Sequence, residues 1–172
     1  MQGIEIEKKY KVLHMPDNIE KFQEIHIEQA YLNYDSKPTL RIRKYNEREY
    51  ILSYKSRKKG YRDDLSICDE FELPLSKEAY EHLKSKSDGR VIYKTRYIIP
   101  IDGVLKVEID TFKDFFDGVC FAEIEFKSEE QADLFKAPNW LGEDISSQRR
   151  VKNSYMAIHA NDIREYKDLL IK

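Results

Sequence analysis

Six pairs of like charges, each spaced two residues apart, constrain this 172-residue chain more than any other feature. They are Glu5 and Glu7, Arg41 and Arg43, Glu70 and Glu72, Lys94 and Arg96, Glu108 and Asp110, and Glu123 and Glu125. In a β-strand successive side chains point to opposite faces, so both members of each pair share one face. The alternate positions are mostly apolar: Ile4 and Ile6, Leu40 and Ile42, Phe71 and Leu73, Tyr93 and Tyr97, Val107 and Ile109, Ala122 and Ile124. A sheet that only wets one face mixes signs, because like charges close together repel. One such pair is an ordinary solvated strand, whereas the ordered set implies a surface built for a highly charged ligand. If the sheet closes with these faces inward, its interior is charged and its apolar faces point outward for helices to cover.

Clustered carboxylates are hard oxygen ligands suited to Mg²⁺ or Mn²⁺. Without a cation they repel one another, and some take up protons. Clustered arginine and lysine suit phosphate oxygens, arginine as a bidentate fork and lysine as a compact charge. An interior with both kinds of wall suits a metal-bound polyphosphate. The first pair continues into Lys9, giving Glu-x-Glu-x-Lys on one strand face.

The length fits a single domain spanning 1–172. Its net charge of −2 argues against a general nucleic-acid or membrane surface. Two cysteines, Cys68 and Cys120, predict buried free thiols in a reduced compartment. The N-terminus has no apolar h-region and no segment is long enough to span a bilayer, so a cytoplasmic location is expected. His14, His26, His82 and His159 show no ligand spacing.

Strands are predicted near residues 3–13, 26–34, 38–45, 48–56, 62–73, 90–100, 103–112 and 118–127. Asp102-Gly103 and Asp117-Gly118 mark turns. Short helices are predicted after Pro16-Asp17, after Ser76, after the capping box of Ser128 and Gln131, and over about 161–171. The expected class is α+β, an antiparallel sheet closed or nearly closed on itself with short flanking helices.

The chain resembles the triphosphate tunnel metalloenzymes, also called the CYTH superfamily. Glu5-x-Glu7-x-Lys9 matches their N-terminal signature, and further matches follow in order. They are Gln29-Ala30-Tyr31-Leu32, Leu40-Arg41-Ile42-Arg43, Leu52-Ser53-Tyr54-Lys55, Glu70-Phe71-Glu72 and Tyr93-Lys94-Thr95-Arg96-Tyr97. Val107-Glu108-Ile109-Asp110, Ala122-Glu123-Ile124-Glu125 and the closing Arg150-Val151-Lys152-Asn153 complete the set, which covers about residues 3–158. Ala30, Glu28 and Val151 depart from the usual glycine, arginine and aromatic residue.

The resemblance implies an eight-stranded antiparallel β-barrel forming a tunnel, with a C-terminal helix that plugs one end or packs outside. It implies a divalent-metal-dependent triphosphatase that splits inorganic tripolyphosphate to diphosphate and phosphate, with nucleoside or thiamine triphosphates as further substrates. Alternatives are a class IV adenylate cyclase and a non-catalytic polyphosphate- or nucleotide-binding module. The implied partner is a small-molecule triphosphate, with no nucleic acid or membrane, and the implied assembly is a monomer or homodimer. Carried onto this sequence, the resemblance gives Glu5, Glu7, Glu108, Asp110, Glu123 and Glu125 to Mg²⁺ or Mn²⁺. Lys9, Arg41, Arg43, Lys55, Lys94, Arg96, Arg150 and Lys152 bind the phosphates. Glu5, Glu7, Lys9 and Asp110 act in catalysis, and Glu70, Glu72 and Tyr31 support the site or orient water.

Overall fold

The computed structural model describes residues 2–33, 37–57 and 65–171. Among the described residues nine strands form: β1 (Gln2–Val12), β2 (Gln23–Tyr31), β3 (Thr39–Tyr45), β4 (Glu49–Arg57), β5 (Ser66–Pro74), β6 (Asp88–Ile101), β7 (Leu105–Phe112), β8 (Cys120–Phe126) and β9 (Leu141–Asp144). Antiparallel neighbours run β5-β4-β3-β2-β6-β7-β8-β1, and β1 pairs with β5 again, closing an eight-stranded barrel. β9 joins β1 at Tyr10 and Val12, on the edge that β5 leaves after pairing as far as Glu7.

The eight expected strands are all present, with shifted ends. The second runs Gln23–Tyr31 rather than 26–34. It stops because Asn33 replaces the ladder with its side chain, its Oδ1 accepting from the Leu40 N–H at 2.8 Å. The fifth begins at Ser66, and positions 62–64 of its expected span lie outside the described residues. Asp102 and Gly103 turn the β6–β7 hairpin with φ of 50° and 66°, the left-handed region a tight turn requires.

The described residues form three α-helices: α1 (Lys77–Lys84), α2 (Glu129–Leu134) and α3 (Asn153–His159). Ser76 caps α1 by accepting from the Ala79 N–H at 3.1 Å, as expected. Ser128 caps α2 through the Gln131 N–H, but the Gln131 side chain returns to the N–H of Lys127, one residue before the usual position. After Pro16 only a 3-10 turn forms, Ile19–Lys21, behind Asn18 at φ 56°. The segment expected as a C-terminal helix is a 3-10 helix, Ile163–Leu169, capped by Asp162.

α3 was not expected. It docks against β6 because Gly89 has no side chain there: a Cβ would sit 2.5 Å from the Ala157 carbonyl oxygen. α3 brings Met156 and Ala157 to Tyr31, Ile92, Phe112 and Phe121 in one apolar cluster that stops one barrel end, where Val151 is also fully buried. The C-terminal 3-10 helix adds Tyr166 and Leu169 behind it. The other apolar clusters lie outside the sheet. Ile6, Val107, Ile109 and Ile124 pack with Ala132 of α2, while Ala30 and Ile42 pack under Tyr80 of α1. The barrel is therefore apolar outside and, beyond the end stopped by that apolar cluster, largely charged within.

Glu28, one of the departures from the family pattern, belongs to the outer layer. It is buried under α1, where Lys44 and Lys84 each approach its carboxylate at 2.6 Å and the Tyr80 hydroxyl donates at 3.1 Å. Burial opposes its ionisation, and the two ammoniums overcome that, so its carboxyl lies below the usual range.

Candidate active site

The barrel encloses a cavity of about 810 Å³. Strand alternation places Glu5, Glu7 and Lys9, Arg41 and Arg43, Lys55, Glu70 and Glu72, Lys94 and Arg96, Glu108, and Glu123 and Glu125 on its wall, with Tyr31 and Lys152. The charges divide into arcs. β7, β8 and β1 are consecutive in the barrel and carry Glu108, Glu123, Glu125, Glu5 and Glu7. β3, with Arg41 and Arg43, lies across the barrel, four strands from β8 in either direction.

Within the acidic arc, Glu7 stands directly opposite Glu125 in the β1–β8 ladder, and Glu108 opposite Glu123 in the β7–β8 ladder. Like charges so placed destabilise a sheet. Arg96 offsets one pair by reaching both Glu108 and Glu123, the latter at 2.6 Å. Among the described residues Glu125 has no ion-pair partner. Burial raises its carboxyl above the usual range, and the carboxylates of Glu5, Glu108 and Glu7 add to the shift.

The remaining charges hold one another. Lys9 lies 3.0 Å from Glu7 and also contacts Glu123. Burial works against the Lys9 ammonium, yet Glu123 and Glu7 hold its pKa above the usual range. Burial also opposes the Glu123 carboxylate, and Lys9, Arg96 and Lys94 keep its carboxyl well below that range. Lys55 contacts Glu5 and lies 3.9 Å from Glu7. Arg41 meets Glu70 at 2.6 Å, and Arg43 meets Glu72. Both contacts pass over β4, where the small, fully buried Ser53 pairs with Arg41 on one side and Glu72 on the other. Glu70 and Glu72 are thus counter-ions of the arginines.

Both arginines keep an unused donor: Arg41 Nε and Arg43 Nε are buried with no acceptor among the described residues. Burial and the neighbouring Arg41 charge both oppose the Arg43 cation. Lys94 is 3 % exposed and contacts Asp110. Burial lowers its pKa to about 8, with Arg96 adding to the fall and Asp110 opposing it.

Two expected site residues do not reach the cavity. Asp110 is 0 % exposed, and its oxygens are taken by Lys94 and by Arg96, whose Nε and Nη2 donate at 2.7 Å each. It positions those cations and offers no oxygen to a cation or water in the lumen. Arg150 turns away to form a bidentate pair with Asp168 at 2.9 and 2.7 Å, pulling the Asp168 carboxyl down to about 2, and donates to the Glu165 carbonyl at 2.7 Å. It fastens the C-terminal 3-10 helix, while its neighbour Arg149 lines the cavity.

Other wall residues were not named from the sequence. Gln29 shares the strand face of Tyr31 and donates to its hydroxyl oxygen at 2.7 Å, which leaves the Tyr31 hydrogen to point elsewhere. Arg57 shares the face of Lys55, so alternation alone would have found it. Lys58 and Lys59 of the basic run beginning at Lys55 lie outside the described residues. Ser146 accepts from the Lys9 N–H at 2.8 Å after an irregular turn that carries no periodic signal. Cys68 lines the cavity as a buried free thiol, and Cys120 is buried in the outer layer.

Among the described residues no three carboxylate, imidazole or thiol groups converge on one point, and no helix is long and apolar enough to cross a membrane. The acidic arc nevertheless has the donors a hard divalent cation takes: carboxylates from three adjacent strands, one of them without a counter-ion among the described residues.

The CYTH domain family model matches residues 3–156. An inorganic triphosphatase of Nitrosomonas europaea is 30 % identical over 158 residues, covering 90 % of this chain and 97 % of its own. Another inorganic triphosphatase, from Acetivibrio thermocellus, is 30 % identical over 168 residues, covering 96 % and 99 %. The crystal structure of an inorganic triphosphatase superposes with a TM-score of 0.66 at 29 % identity, covering 91 % of this chain and 95 % of that one.

Proposed function

Because the chain belongs to the CYTH domain family, we propose that it is a metal-dependent hydrolase of phosphoanhydride bonds, an inorganic triphosphatase that splits tripolyphosphate to diphosphate and phosphate. One observation carries the reading. Buried arginine donors face, across one cavity, a carboxylate, and among the described residues the donors have no acceptor and the carboxylate no counter-ion. An anion and a cation bound side by side complete both walls.

In this reading Arg41, Arg43, Lys55, Lys94, Arg96, Lys152 and Lys9 bind the phosphate chain, with Arg149 in place of Arg150. Glu5, Glu7, Glu108, Glu123 and Glu125 hold Mg²⁺ or Mn²⁺. When bound, the cation supplies charge neutralisation on phosphate oxygens and Lewis-acid activation of water. Phosphoryl transfer asks mainly for positioning and electrostatic stabilisation. The arginines fix the phosphate chain because Glu70, Glu72 and Asp110 fix the arginines. The Tyr31 hydroxyl donates to a phosphate oxygen, since Gln29 already occupies its acceptor side. The enzyme works in the cytoplasm as a monomer or homodimer.

The test is product analysis with tripolyphosphate, thiamine triphosphate and ATP in Mg²⁺ or Mn²⁺. Tripolyphosphate should give diphosphate and phosphate at the highest kcat/KM. Cyclic AMP from ATP, without phosphate release from tripolyphosphate, would replace the reading with that of a cyclase.

Lys94 adds a pH signature. With its pKa at about 8, it is largely neutral at pH 9 in the free protein. A phosphate beside it favours the charged form. Binding of tripolyphosphate at pH 9 in EDTA should therefore take up more protons in wild type than in Lys94→Met. Calorimetry in two buffers of different ionisation enthalpy measures the difference, and equal uptake would remove Lys94 from the phosphate site.

A further inference from the structure

The carboxylates assigned to the cation already hold the groups assigned to phosphate. Glu7 lies 3.0 Å from Lys9 and 3.9 Å from Lys55, and Glu5 contacts Lys55. Glu123 contacts Lys9 and lies 2.6 Å from Arg96. Glu108 contacts Arg96 and lies 2.8 Å from Lys106. Resting on the reading above, we propose that the metal-free tunnel neutralises itself. Glu5, Glu7, Glu108 and Glu123 act as internal counter-ions of Lys9, Lys55 and Arg96, so a divalent cation on those oxygens frees the basic groups for phosphate.

The physics is competition for the same lone pairs. An ammonium or guanidinium hydrogen-bonded to a carboxylate oxygen occupies the position a metal needs, and the two positive charges repel. Metal entry must therefore loosen Lys9, Lys55 and Arg96 from the acidic arc. Once loosened, they lack counter-ions in a cavity where burial opposes the charge of each. Phosphate oxygens restore the balance. Metal and anion then bind with positive coupling, and by linkage each raises the other's affinity by the same factor.

Glu125 provides the internal comparison. It lines the same cavity on the same strand as Glu123, yet has no ion-pair partner among the described residues. Removing its charge changes the field of the lumen but frees no lysine or arginine.

The experiment is calorimetric titration of tripolyphosphate into the full chain in EDTA, where metal complexation in solution plays no part. Glu7→Gln and Glu123→Gln should each bind roughly 5- to 100-fold tighter than wild type, the usual range of such couplings. Glu125→Gln should gain clearly less. Glu5→Gln, which frees Lys55 alone, repeats the test if Glu7→Gln does not fold. Adding Mn²⁺ should tighten wild type more than it tightens Glu7→Gln. Equal gains in Glu125→Gln and Glu7→Gln would reduce the effect to net charge and overturn the inference, as would no gain in Glu7→Gln and Glu123→Gln. If wild type binds no tripolyphosphate even with Mn²⁺, the functional reading fails and takes this inference with it.

Discussion

Glu125→Gln is expected to lower metal-dependent turnover by roughly two orders of magnitude or more, the scale of losing one essential charge contact, without lowering thermal stability at pH 7. The two halves of that result have one cause. Glu125 stands across from Glu7 and among Glu5 and Glu108, with no counter-ion among the described residues. Its folded-state pKa is raised, so its contribution to stability is present at low pH and is lost as pH rises through that value. At neutral pH the carboxylate is a cost to the fold, and glutamine removes it. A residue whose loss harms activity but not stability is serving a ligand. Glu7→Gln should match the loss of turnover. Its melting temperature is a poorer guide, because Glu7 also pairs with Lys9 and Lys55. Malachite-green phosphate release and a melting curve for each variant check the result. Near-full activity in both would remove these glutamates from the metal site.

Asp110→Asn should behave in the opposite way, with a large loss of stability. The side chain is 0 % exposed and accepts from both Lys94 and Arg96. Removing one partner of a buried ion pair costs about 3–5 kcal/mol, because the other charge is left uncompensated. For a domain of this size that is a fall in melting temperature of roughly 6–20 °C. The loss should shrink as pH rises. Lys94 already has a folded pKa of about 8, below its unfolded value, so its charge is costly below that pH and is shed above it. Without Asp110 the folded pKa falls further, and the variant sheds the charge at a lower pH than wild type. The stability gap should therefore be larger at pH 6 than at pH 9. A gap that does not change with pH would mean that Lys94 is not the group left exposed to the penalty.

Period-two alternation carried most of the fold and most of the site. It placed Glu5, Arg41, Lys94, Glu108 and Glu123 on the inner face of a closed barrel, and it puts Gln29 and Arg57 there too once read through. It was silent where the chain is not a strand. β9, α3 and the Arg149–Val151 3-10 turn lie in a stretch without sheet or long helical period, and there two adjacent arginines point to different places. Arg150 was expected in the lumen and instead holds Asp168, because orientation in an irregular segment is set by tertiary partners rather than spacing. Asp110 shows a different limit. Alternation gave its face correctly, yet two basic neighbours enclose it before it can reach the cavity. The sign segregation along the sequence likewise concealed how many opposite charges meet once the strands are neighbours, since β1 lies beside β8, its remote partner in the chain, and brings Lys9 to Glu123.

If this charged tunnel cleaves triphosphates with a divalent cation, phosphorus NMR of tripolyphosphate should show equal amounts of diphosphate and phosphate appearing with Mg²⁺ or with Mn²⁺. In EDTA the tripolyphosphate should stay intact. Tripolyphosphate that persists with both metals, or breaks down equally in EDTA, would contradict metal-dependent cleavage.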